Sequence, residues 1–124
     1  MGYNVRVTEH AHDDLDQIVS YIIGDLSNPS AALTLLNAVE HVYEKLAETP
    51  NMYALCQKPL LSRRGYRKAP IGGYLMIYKV DEDAKLVYIE RFFNCGFKIG
   101  SVDTMLYANF ENNFEKAVFW YLRF

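Results

Sequence analysis

The chain predicts an α+β domain: one strand, an antiparallel helical hairpin, then a three-stranded antiparallel meander, with a helical extension at the C-terminus. Three observations predict it. Apolar residues alternate up to Thr8 and then recur at helical spacing. Two such helical stripes are parted by only a short break at Pro29. Three β-rich runs follow, separated by Gly72-Gly73 and by Asp81-Glu82-Asp83-Ala84-Lys85.

In the opening strand Tyr3, Val5 and Val7 alternate with Asn4, Arg6 and Thr8, the pattern of a strand buried on one face. Thr8 is placed to cap a helix whose first turns carry Glu9, Asp13 and Asp14, acids that suit the positive end of the helix dipole. Leu15, Ile18, Val19, Ile22, Ile23 and Leu26 then form an expected apolar stripe. Asn28 is a suitable N-cap for a second helix with Pro29 at its first position, where the missing N–H costs nothing. The second stripe is Ala32, Leu35, Leu36, Val39, Val42, Tyr43 and Leu46, and the helix is expected to stop near Thr49, because Pro50 disfavours a helical residue before it. Neither stripe is covered by the other helix alone, so a sheet must bury both.

Strands are expected over residues 66–71, 74–80 and 86–93. The middle one is apolar on both sides, Leu75 and Ile77 against Tyr74, Met76 and Tyr78, which predicts a central position. With both helices on one face, the other sheet face is expected to stay open. Residues 1–93 therefore read as one domain. Residues 94–124 form a divergent, aromatic-rich segment in which Leu106, Phe110, Phe114, Val118 and Tyr121 recur at helical spacing, predicting a helix from about 104. Its aromatic surface suits the open sheet face or a dimer or antitoxin contact, and a shifted reading frame that abolished the active end also accounts for it.

At 124 residues the chain is long enough for one core without covalent staples. A net charge of -2 excludes nucleic-acid binding through bulk positive charge, so any such contact needs a local patch. Cys56 and Cys95 are too few for a disulfide framework or a zinc site. The N-terminus lacks a signal-peptide pattern, and no apolar run is long enough to cross a membrane, so a cytoplasmic protein is expected. No cofactor and no metal are implied. His10, His12, Asp13 and Asp14 are explained by the helix dipole, and no downstream cluster matches them. Gly72-Gly73 reads as a turn.

The candidate site is the window holding Lys58, Arg63, Arg64, Arg67 and Lys68, which contains no acid and leads directly into the central strand. A solvated basic loop and an anion-binding site both fit it. Arg91, flanked by apolar residues on a strand, suits either an internal ion pair or a target contact. Tyr74 and Tyr78 read as core.

From residue 3 to 93 the chain resembles the RelE/ParE family of toxins from type II toxin–antitoxin systems. The resemblance rests on Ala11-x-x-Asp14-Leu15-x-x-Ile18-x-x-Tyr21-Ile22 in the first helix and on Ala31-Ala32 opening a second that closes with Leu46 before Pro50. Gly65-Tyr66-Arg67, Tyr74-Leu75-Met76-Ile77-Tyr78-Lys79-Val80 and Val87-Tyr88-Ile89-Glu90-Arg91 extend it. It implies a growth-inhibiting toxin held inactive by a cognate antitoxin. Members like RelE cut mRNA on the ribosome without a metal; members like ParE inhibit DNA gyrase. For the first activity the resemblance points to Arg67 and Lys68 as catalytic groups, with Arg63, Arg64 and Arg91 contacting the nucleic acid or target. The chain departs from RelE-like nucleases where Leu75 follows Tyr74 in place of an Arg, and where Asn94-Cys95-Gly96-Phe97 replaces a basic run, leaving Lys98 as the nearby cation. A degenerate toxin that binds only an antitoxin or itself also accommodates these departures.

Overall fold

A computed structural model describes residues 2–57 and 59–94 of the chain. The expectations for Lys58, Cys95, Lys98 and the C-terminal helix lie outside the described residues.

Strand β1 spans Asn4–Val7 and leads into helix α1, Glu9–Gly24. Thr8 is the cap: its hydroxyl accepts the Ala11 N–H at 3.2 Å and donates to the Ile89 carbonyl at 2.9 Å. One side chain thus both satisfies an orphan helix donor and ties the helix start to a strand 81 positions away. Helix α2, Pro29–Glu48, begins on Asn28, whose Oδ1 accepts the Ala31 N–H at 3.1 Å, and ends at Thr49 as Pro50 requires. A five-residue helix α3, Pro59–Arg63, precedes the strands β2 (Tyr66–Ile71), β3 (Tyr74–Asp81) and β4 (Leu86–Asn94).

The strands form one sheet in the order β1-β4-β3-β2, with β1 parallel to β4 and the other pairs antiparallel. Gly72 and Gly73 have φ of 52° and 85°, the left-handed backbone that a two-residue hairpin turn requires at both central positions. β3 lies between β4 and β2 and is buried on both faces as its composition predicts. Met76 and Tyr78 join the core beneath the helices, whereas Leu75 and Ile77 join a second cluster.

Three details correct the sequence reading. Ile23 is 48% exposed and Leu26 54% exposed, so the first apolar stripe ends at Ile22. A helix turns about 100° per residue, which carries Ile23 off the core side, and Leu26 lies past the end of α1. Leu36, beside buried Leu35, is turned outward for the same reason and is 37% exposed. The sheet face away from the helices is also not left open along its whole length. Cys56 and Leu61, on either side of the start of α3, pack there against Tyr66, Leu75 and Ile77.

Candidate functional site

The five predicted site residues are distributed by backbone geometry into different environments. Arg63 ends α3, where its Nε donates to the Pro59 carbonyl at 3.4 Å, and it is exposed. Arg64 follows in the turn, also exposed, and Gly65 with φ of 83° swings the chain into β2. Arg67 and Lys68 are neighbours on that strand and therefore point to opposite faces. Arg67 shares the helix-side face with Ala69 and Ile71, and its Nη1 donates to the Tyr53 carbonyl at 2.6 Å. That contact holds the segment leading from α2 against the sheet. Lys68 lies on the other face, in line with Tyr66, while its N–H donates to the Ala54 carbonyl at 3.1 Å.

Arg91 is built into the frame. Its Nε and Nη2 donate to the two carboxylate oxygens of Asp14 at 2.7 and 3.0 Å, and the same carboxylate accepts the Phe92 N–H at 3.1 Å. Both side chains are mostly buried, at 11% and 15% exposure. β1 pairs with β4 only as far as Ile89, so Asp14 satisfies a strand edge donor that no strand among the described residues reaches. Of the two readings open for Arg91, the internal ion pair is the one observed, with its partner on α1 rather than on a strand.

Sequence reasoning missed the mixed-charge group that does gather on the sheet face away from the helices. Between Ile77 and Tyr78 the β3–β4 register slips, the signature of a β-bulge, which leaves Glu90 without a directly opposed partner. Burial raises the Glu90 carboxyl above its ordinary range, and Lys79 and His10 pull it back down. Tyr66 lies across from Lys79 in register, with Lys79 Nζ 5.2 Å from its ring centre. Burial and Glu90 raise the Tyr66 hydroxyl, while Arg64 lowers it. The signal available in the sequence was the acid Glu90, next to Arg91, in a strand of mostly apolar residues. A polyanion cradle calls for concentrated positive charge. Here a carboxylate sits near Lys79 and His10, with Arg64 acting on the adjoining Tyr66, an arrangement better suited to the alternating charges of a protein surface.

A groove of about 250 Å³ opens beside Asp14. Its lining takes in the apolar Ile18, Phe92 and Phe93 and the polar Gln17, Tyr21 and Asn94. Among the described residues no three His, Cys, Asp or Glu side chains converge as metal ligands, and no helix is long and apolar enough to cross a membrane.

A sequence model of the ParE toxin of type II toxin–antitoxin system, parDE, matches residues 5–95. The chain belongs to the ParE toxin family. Its strand–helix–helix–meander order is also that of solved structures. A chain of the chromosomal ParDE toxin–antitoxin system from P. aeruginosa superposes with a TM-score of 0.58 at 21% identity, covering 74% of this chain and 95% of that one. A chain of the toxin–antitoxin complex RelBE2 from Mycobacterium tuberculosis gives 0.53 at 23% identity, with 76% and 99% covered. At such identities these likenesses concern the fold. Streptothricin acetyltransferase A from Bacillus subtilis is 29% identical over 132 residues, which take in 94% of this chain and 72% of the enzyme. An alignment of that extent necessarily enters residues 96–124, which lie beyond the ParE match.

Proposed function

We propose that the chain inhibits growth by binding DNA gyrase, acts in the cytoplasm, and is neutralised by a cognate antitoxin. The ParE match over residues 5–95 carries this reading. The fate of the basic residues supports it. A metal-free nuclease needs cations available to phosphate in the transition state. Arg91 is instead held by a buried carboxylate and Arg67 by a backbone carbonyl, and Leu75 occupies the strand position where RelE-like enzymes carry a further Arg. The solved structures similar to this chain come from toxin–antitoxin systems, which supports an antitoxin as its physical partner.

Induced expression of the chain alone in a bacterium tests the reading. Growth should stop, plasmid DNA should lose negative supercoiling, and bulk mRNA should remain intact. Co-expression of the antitoxin encoded beside it should restore growth. Rapid ribosome-dependent mRNA cleavage would assign the RelE-like activity instead. Unimpaired growth with abundant soluble protein would leave the degenerate binding module.

A further inference from the structure

We infer that the groove between α1 and the ends of β3 and β4 is the docking site for the chain's own C-terminal segment, residues 97–124. The groove is lined by the apolar Ile18, Phe92 and Phe93 and by Tyr21 and Tyr74, and Tyr21 is half exposed on α1. Its lip includes Asn94, from which the chain continues to Phe124. The segment therefore starts at the groove and needs no long linker to enter it.

The segment also has the matching chemistry. Leu106, Phe110, Phe114 and Tyr121 recur at helical spacing, and Trp120 adds a second large aromatic beside Tyr121. Aromatic side chains bury about 150–250 Å² each, so exposing this series to water is costly and a concave apolar acceptor is favoured. The acid on the groove wall, Asp14, is already neutralised by Arg91, so an apolar occupant does not strand a lone carboxylate. Attachment decides which copy is bound. A segment tethered at the lip meets its own groove at an effective concentration in the millimolar range, far above micromolar protein. The ParE match ends at residue 95, so this docking is a property of the chain beyond its family domain.

Trp120 is the chain's only tryptophan and reports the segment's surroundings directly. In the full-length chain its emission should be blue-shifted, protected from acrylamide, and unchanged on dilution. Tyr21→Lys and Gln17→Lys, at exposed groove-side positions, should each remove the blue shift and the protection while far-UV circular dichroism stays the same. Ile23→Lys, at an exposed position that does not line the groove, should leave both intact. Solvent-like Trp120 emission in the unsubstituted chain, or a blue shift that survives both groove substitutions, would overturn the inference. So would a blue shift that disappears on dilution, which would place the segment on a second copy.

Discussion

At the scale of single residues, Asp14 has the largest structural role for its size. It closes two bonds to Arg91 and one to the Phe92 N–H, joining α1 to β4 across 77 positions. Removing one partner of a mostly buried ion pair leaves the other uncompensated, so Asp14→Ala should lower the unfolding free energy by about 3 kcal/mol in urea titrations. Asp14→Ala combined with Arg91→Ala should be less destabilised than the two single changes predict together. Tyr78 is fully buried, meets Tyr53 edge to face, and donates to the Pro50 carbonyl at 2.9 Å. Burial pushes its hydroxyl up to about 12, and that of Tyr43 likewise, above the ordinary 10.0. The folded state therefore holds these protons more tightly than the unfolded chain. Stability from both groups is fully present below pH 10 and lost as pH rises from there towards 12. The urea midpoint should be flat towards pH 9 and fall above pH 10, and Tyr43→Phe with Tyr78→Phe should flatten that fall.

At the scale of elements, legibility tracked how local the cause was. Thr8, Asn28, Pro29 and Pro50 set helix ends through groups within a turn of themselves, and the start of α1 and both ends of α2 fall where those residues place them. The Gly72-Gly73 hairpin was legible for the same reason. α3 was not, because five residues are too few to show a period, and what holds it is burial of Leu61 against strands not yet formed in the sequence order. The bulge beside Glu90 was equally invisible, since register belongs to two strands at once. Arg67 and Lys68 looked like one basic pair, but strand alternation separates them. Their substitutions should separate as well. Arg67→Ala removes a charge-assisted bond to the Tyr53 carbonyl and should cost about 2 kcal/mol of stability. Lys68→Ala leaves that bond and the Lys68 N–H contact to Ala54 in place, and urea titration should show a smaller loss than for Arg67→Ala. If Lys68 meets the target, growth inhibition should weaken in Lys68→Ala while the fold is retained.

At the scale of the whole molecule, the sequence and the structure converge on a ParE-family toxin fold in which two of the expected cations, Arg67 and Arg91, serve the frame. The α+β order was legible because each apolar period requires a complementary surface, two helices needing a sheet and the sheet needing a cover. The site was less legible because a charged residue's role depends on what faces it. Arg91 faces Asp14, Arg67 faces a carbonyl, and the mixed group of Glu90, Lys79 and Tyr66 forms only once three strands are in register. Such a surface favours recognition of a protein over cleavage of a polyanion. The most direct measurement uses purified full-length chain with purified gyrase, relaxed plasmid and ATP, resolving topoisomers by electrophoresis. Supercoiling should fail at a modest excess of the chain over gyrase and recover when the cognate antitoxin is added. Full supercoiling at a large excess of the folded chain would contradict the proposal.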